Sequence, residues 1–261
     1  MTTMHATEES TPLLQMHDGV ATITLNRPAH RNRLHNDDLR VLMAHFRAIN
    51  ADIGIRVAVL TGRVQDVRPV FCAGYHIGQH GSEHEGANFE QVADALEGLR
   101  PVAICAINGS VYGGATDLVL ACDFAIGTEG MEMRMPAAAL GMHYYPGGLA
   151  RYVSRLGVAN AKRAFLAAQT FTADELLRMG YIHELLPASQ HADAVRKLVS
   201  QVRVLAPLAL QTLKASLNEV ARGDFDAPRL RERQRSTQAS ADFAEGCLAF
   251  AERRQPVFKG Q

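Results

Sequence analysis

The chain has 261 residues, 47% of them hydrophobic and 21% charged, which is ample apolar material for one sizeable core. Its 27 basic and 27 acidic residues cancel, so no global field draws it to nucleic acid or to an anionic membrane. Four widely spaced cysteines, Cys72, Cys105, Cys122 and Cys247, form no C-x-x-C pair and read as free thiols of a reducing compartment.

In chain order, MTTMHATEESTPLL lacks the charged start and apolar core of a secretory signal. No later stretch reaches the ~18 uninterrupted apolar residues of a spanning helix. A cytoplasmic protein is expected. GVATITLN (19–26) is β-branched and stops at Arg27-Pro28, as a strand would. NDDLRVLMAHFRAIN (36–50) predicts a helix, with Asn36 as N-cap and Leu39, Leu42, Met43, Phe46 and Ile49 along one face. A buried strand follows at 57–62, a helix at 89–99 and a strand at 101–107, with short strands at 124–128 and 132–135. Beyond residue 149 the pattern turns helical (149–157, 158–169, 172–180, 192–206, 207–223), with one strand at 181–187. An α/β core with a mainly helical C-terminal portion is the fold class that follows.

Two segments share a design. VFCAGYHI (70–77) carries Ala73-Gly74 before Tyr75, and SVYGGATD (110–117) carries Gly113-Gly114 before a helix bearing Asp117. Glycines let backbone approach a ligand, and the first N–H groups of a helix lack partners within it. Two such N–H groups aimed at one carbonyl would form an oxyanion hole, each donor worth about 3–4 kcal/mol as charge develops. A pair of plain tight turns is the alternative.

Phe71-Cys72-Ala73-Gly74-Tyr75-His76-Ile77 resembles the F-x-A-G-x-D-I segment of the crotonase superfamily, the enoyl-CoA hydratase/isomerase family. Ile107-Asn108-Gly109, Gly113-Gly114, Asp117-Leu118 and Cys122-Asp123 are similar to its N-G-x-x-x-G-G-G-x-E-L-x-x-x-C-D segment. Leu25-Asn26-Arg27-Pro28 with Asn32 resembles its L-N-R-P-x-x-x-N start, and residues 245–259 resemble its E-G-x-x-A-F-x-E-K-R-x-x-x-F-K tail. The resemblance implies a crotonase spiral of β-β-α units over 15–200, after a flexible N-terminus (1–14), with a helical trimerisation region over 201–261. It implies an acyl-CoA substrate whose thioester oxygen lies between the N–H groups of Tyr75 and Gly114. Coenzyme A would enter as part of the substrate, with no separate cofactor, no metal and no nucleic-acid partner. A homotrimer, or a dimer of trimers, is implied. For CoA contacts it points to Arg33, Ala73, His76, Ile77, Phe258 and Lys259, the last two reaching a neighbouring subunit.

Hydratases of the family divide proton transfer between two glutamates. The first falls at Asp117 and the second, in a P-E-x-x-L-G segment, at Ala137. An alanine neither holds water nor moves a proton, which leaves a lone-carboxylate enzyme acting through a thioester enolate. Asp117 also fits a plain helix N-terminal acid. The neighbouring GMHYYPGG (141–148) adds His143, Tyr144 and Tyr145; these either supply a proton or fill the volume beside a small acyl chain. Tyr144 or His143 as the donor would suit an acyl-CoA decarboxylase or C–C hydrolase, and a non-catalytic acyl-CoA binder is the third reading. His76, His80 and His84 share an i, i+4 spacing, but their glycine-rich loop argues against a metal site. Arg229, Arg231, Arg233 and Arg235 alternate by two, which predicts a solvated or subunit-facing helix.

Overall fold

A computed structural model describes residues 9–65, 67–76, 78 and 86–261. Two sheets meet around one core. The larger has strand order β1-β2-β3-β5-β7-β10, from β1 (Leu13–His17), β2 (Val20–Leu25), β3 (Val57–Gly62), β5 (Val102–Ile107), β7 (Phe124–Thr128) and β10 (Glu184–Leu186). The smaller runs β4-β6-β8-β9, from β4 (Val70–Cys72), β6 (Ser110–Tyr112), β8 (Glu132–Arg134) and β9 (Thr170–Thr172). β1 pairs antiparallel with β2 and β8 with β9; the other pairings are parallel.

The central strands are apolar throughout because both of their faces are covered. Ala58, Leu60, Ala103, Cys105 and Ile107 point into the main core between the sheets. The alternate residues Val57, Val59, Val102, Ile104 and Ala106 form a second cluster with Val202 of α6 (Ala188–Arg203) and Leu210 of α7 (Pro207–Ala221). Cys72, Cys105 and Cys122 are buried free thiols, and burial pushes the Cys72 thiol up to about 12. Among the described residues no helix is long and apolar enough to cross a membrane.

Several local expectations need correction. β1, a hairpin partner of β2, has no alternating pattern in its LLQMH sequence and is missed. α1 (Asn36–Ala51) has His35, not Asn36, as N-cap: Asp38 accepts the His35 N–H at 2.8 Å, while Asn36 Oδ1 accepts the Tyr75 hydroxyl. The two helices read over 149–157 and 158–169 are present and meet where expected, at Gly157 (φ 76°, ψ 155°), although the first starts earlier and the second ends earlier; together they make the kinked α4 (Pro146–Leu166). On α8 (Ala227–Gln238), Arg229 and Arg233 lie one turn apart and both hold Glu219 of α7, at 3.1 and 2.7 Å. Those two arginines clamp α8 to α7 within the chain, while Arg231 and Arg235 are exposed as expected.

Candidate active site

β4 and β6 are parallel neighbours, so their glycine turns emerge side by side. Gly74 has φ +88°, and a Cβ there would lie 2.8 Å from the Tyr112 carbonyl oxygen and 3.1 Å from the Gly114 nitrogen. No other residue admits that approach. Tyr75 is fixed by an isolated parallel bridge to Leu34. The Gly74 carbonyl accepts from Leu34 N–H at 2.9 Å and His76 N–H donates to the Leu34 carbonyl at 2.8 Å. By strand alternation, the Tyr75 N–H is turned away from Leu34. Phe89, at the start of α2 (Phe89–Glu97), covers Gly114: a Cβ at 114 would sit 2.9 Å from its Cζ. The Phe89 ring lies between those of Tyr75 and Tyr145, with centroids 6.0 and 6.2 Å away.

Asp117, on α3 (Ala115–Ala121), is fully buried, and its two oxygens accept three donors. Arg151 of α4 gives Nε to Oδ1 at 2.9 Å and Nη2 to Oδ2 at 2.7 Å, and the Tyr145 hydroxyl gives a proton to Oδ2 at 2.7 Å. Arg151, 1% exposed, extends the network through Nη1 to Asp94 at 2.8 Å and Glu97 at 3.4 Å. Glu97 in turn receives Arg222 of α7 at 2.6 Å. Burial opposes the Arg151 charge, but its hydrogen bonds with Asp117 outweigh that and hold its pKa above the usual arginine value. A fixed cation thus faces Asp117.

Tyr144 stacks on Tyr145, with centroids 4.1 Å apart, and donates its hydroxyl to the Tyr145 oxygen at 3.0 Å. Its ring meets Phe165 at 5.1 Å and the edge of Tyr152 at 6.5 Å. Gly148 makes room for this pair, since a Cβ there would lie 2.3 Å from Tyr144 Cε1. Burial, followed by the Asp117 charge, raises both tyrosine pKa values. Both phenols therefore stay protonated, and act as hydrogen-bond donors, through the neutral range.

Of the other candidates, Ala137 is 3% exposed in the core, and its carbonyl accepts from Leu140 and Met142. His143 is exposed, its Nδ1 2.8 Å from the Tyr144 carbonyl oxygen, and it is not gathered with Asp117 and the tyrosines. Ala73 N–H donates to the Arg31 carbonyl at 2.9 Å, next to Gly74. Arg33 and His76 share a face beside the Gly74 turn with His35, whose ring stacks on His76 at 5.0 Å. Ile77, and with it His80 and His84, lies outside the described residues. Within the chain the tail is anchored by buried Asp242, which accepts Lys259 N–H at 2.7 Å and Gly260 N–H at 2.9 Å. The Phe258 ring lines a cavity of about 370 Å³ with Phe243, Gly246 and Phe250, and the Lys259 residue is exposed. Arg151 and Phe89 were not read from the sequence as site residues. Arg151 looks like one more helical arginine, and only folding brings α4 against α3.

A family model for enoyl-CoA hydratase/isomerase matches residues 15–261. A 2,3-dehydroadipyl-CoA hydratase of Escherichia coli is 30% identical over 248 residues, covering 93% of this chain and 96% of that protein. A crotonyl-CoA hydratase of Syntrophomonas wolfei is 28% identical over 260 residues, covering 94% and 96%. The crystal structure of an enoyl-CoA hydratase from Bacillus anthracis superimposes with a TM-score of 0.85 at 25% identity, covering 97% of this chain and all of that one.

Proposed function

The chain belongs to the enoyl-CoA hydratase/isomerase family, and on that premise we propose that it is an acyl-CoA enzyme working through a thioester enolate. One observation carries the reading: the Gly74 turn lies so near the Gly114 turn that a side chain at 74 would crowd the Gly114 nitrogen, its Cβ falling 3.1 Å away. Two backbone N–H groups, of Tyr75 and Gly114, then stabilise the oxygen that gains charge when the α-carbon loses an electrophile. Only backbone is required, so Tyr75 replaces the family's usual residue without loss.

Proton transfer passes through Tyr145. Asp117 has its oxygens occupied by Arg151 and by the Tyr145 hydroxyl, so the carboxylate acts on substrate by way of that phenol. The Asp117–Arg151 pair fixes the phenol's direction, and Tyr144 adds a second donor behind it. Hydration also needs a water held opposite the first acid, and Ala137 offers none. Hydration of a short straight-chain enoyl-CoA is accordingly slow, and exchange of the α-hydrogen with solvent is the faster reaction.

Decarboxylation is the second reading, favoured by a site that offers hydrogen-bond donors while its buried carboxylate, Asp117, is engaged by Arg151 and Tyr145. The C–C bond to the leaving carboxylate breaks, its electron pair becomes the thioester enolate, and Tyr145 protonates the α-carbon before regaining a proton from solvent. The discriminating experiment incubates a panel of acyl-CoA and carboxyacyl-CoA thioesters in deuterated water. Deuterium entering intact thioester supports the first reading, and loss of carbon dioxide from the carboxyacyl thioesters supports the second. Efficient crotonyl-CoA hydration would overturn the role assigned to Ala137. Assembly through the C-terminal helices is part of this reading, supported by exposed Leu213, Leu217 and Val220 on α7 and Phe243, Leu248 and Phe250 on α9 (Ala241–Glu252).

A further inference from the structure

Asp117 is not the only residue of α3 that α4 grips. Tyr152, next in sequence to Arg151, reaches Thr116, next to Asp117, and neither has any exposed surface. The Tyr152 hydroxyl lies 2.6 Å from Thr116 Oγ1, which lies 2.6 Å from the Gly113 carbonyl oxygen. The direction of these bonds is forced. A carbonyl only accepts, so the Thr116 hydroxyl gives its one proton to Gly113 and accepts from Tyr152. The Gly113 oxygen also accepts the Thr116 N–H at 3.1 Å, which occupies both of its lone pairs. A threonine in a first helical turn closes such a local bond readily. What sets this one apart is the second donor behind it, a buried phenol from another helix. The Tyr152 ring is itself held by Phe165, with centroids 4.7 Å apart, and the Tyr181 hydroxyl donates to the Thr116 carbonyl at 3.0 Å. The Gly113 carbonyl and the Gly114 N–H are two ends of one planar peptide. Among the described residues nothing accepts that N–H.

We propose that Thr116 and Tyr152 are positioning residues of the oxyanion hole: their hydroxyls, in series, polarise the Gly113–Gly114 peptide and strengthen its N–H as a donor to the thioester oxygen. The proposal rests on the acyl-CoA reading above. Donation to the carbonyl draws electron density from the peptide nitrogen, and bonds in such a chain strengthen one another by about 10–30% each in a low-dielectric interior. The gain grows as the thioester oxygen takes on charge, so turnover responds more than ground-state affinity does. One oxyanion donor is worth about 10²–10³-fold in turnover, and 10–30% of that on a logarithmic scale is roughly 2–8-fold for each link lost. Two consecutive residues of α4 thereby serve the two halves of the site. Arg151 orients the acid through Asp117, and Tyr152 sharpens the oxyanion donor through Thr116.

Thr116→Val keeps the side-chain shape and deletes the hydroxyl, but it orphans the buried Tyr152 phenol; adding Tyr152→Phe removes that orphan. The full chain and its variants are compared by steady-state kinetics and by infrared difference spectra of bound acetyl-CoA, isotope-labelled at the thioester carbonyl. The double variant should melt close to the wild type yet turn over about ten-fold more slowly at nearly unchanged KM. Its bound carbonyl stretch should lie nearer the free position than in the wild type. Thr116→Ser, which keeps a hydroxyl, should restore both. Tyr152→Phe alone leaves the Thr116 bond in place and should show the smaller part of both effects, a reading that stands even where Thr116→Val fails to fold. Wild-type turnover and stretch in the double variant would overturn the proposal and leave the acyl-CoA reading intact. Slower turnover with an unmoved stretch would overturn it too, by reducing the pair to packing. Acetyl-CoA that does not bind to the wild type, or binds with its stretch unshifted, would remove the oxyanion hole of that reading and the proposal with it.

Discussion

Replacing Arg151 by methionine isolates what holds Asp117 in place. The substitution keeps most of the apolar stem and deletes the guanidinium, with its bonds of 2.9 and 2.7 Å to Asp117 and 2.8 Å to Asp94. The three carboxylates it served fare differently. Asp94 has a side chain 51% exposed, so water takes over there. Glu97 keeps Arg222 at 2.6 Å. Asp117, with no exposed surface, is left with the Tyr145 hydroxyl alone. Orphaning one member of a buried ion pair costs about 3–5 kcal/mol, and nearly all of it should fall on this carboxylate. For a chain of this size that corresponds to a melting temperature lower by roughly 10 °C. Urea unfolding at fixed protein concentration measures it, the concentration being held because any self-association would shift apparent stability. Adding Asp117→Asn removes the orphaned charge, so the double variant should recover half or more of the loss. A single variant weakened by less than about 1 kcal/mol, or a double variant no better than the single, would refute the account.

The tyrosine pair yields a kinetic prediction: Tyr145→Phe should lower turnover about 10²–10⁴-fold with CoA affinity unchanged, and Tyr144→Phe should cost less. Equal loss in the two variants would mean that Tyr144 meets the substrate as well. Gly148→Ala drives a methyl into the Tyr144 ring, so it should depress turnover and change the near-ultraviolet tyrosine signal without unfolding the sheets. The tail should come loose in acid. Hydrogen bonds from Arg254, then from the Val257 N–H, depress Glu245 to about 2, below its unfolded value. Its contribution is therefore full above about pH 4.5 and lost as pH falls towards 2. Glu245→Gln should mimic that loss at neutral pH, seen as faster carboxypeptidase trimming of residues 255–261; equal trimming rates would contradict the clamp.

The fold was legible wherever one residue pattern had one physical meaning. Strands β3 and β5 are apolar at nearly every position, which suits strands covered on both faces, and the structure covers them on both. α1 carries its apolar face at Leu39, Leu42, Phe46 and Ile49, all buried. At Gly157 the pattern also had one meaning: the glycine that ends the 149–157 pattern is where the structure kinks between two helices. The N-terminal start of that stretch, at Pro146, was the part the pattern did not show. Where a pattern had two meanings, the chain alone did not decide. Alternating arginines on α8 looked solvated until α7 brought Glu219 beneath two of them.

The site divides along the same line. Its glycine turns were readable because each puts a small pair at the end of a short strand, and the positive φ of Gly74 and Gly113 gives those glycines their geometric cause. The charge on Asp117 was not readable, because its meaning depends on a partner 34 residues away. An aspartate open to the cavity would abstract protons directly; one bridged to a buried arginine serves to orient whatever else bonds to it. Here that is the Tyr145 phenol, which makes the shortened acid intelligible. Aspartate, one methylene shorter than glutamate, stays back against α4 with Arg151, and the hydroxyl of Tyr145 occupies the place between carboxylate and aromatic wall. Restoring length should therefore harm this site: Asp117→Glu pushes its carboxylate into the Tyr145 hydroxyl and displaces the phenol, so turnover should fall. A gain in hydratase activity from Asp117→Glu alone would show that the carboxylate, and not the phenol, is the group that meets the substrate.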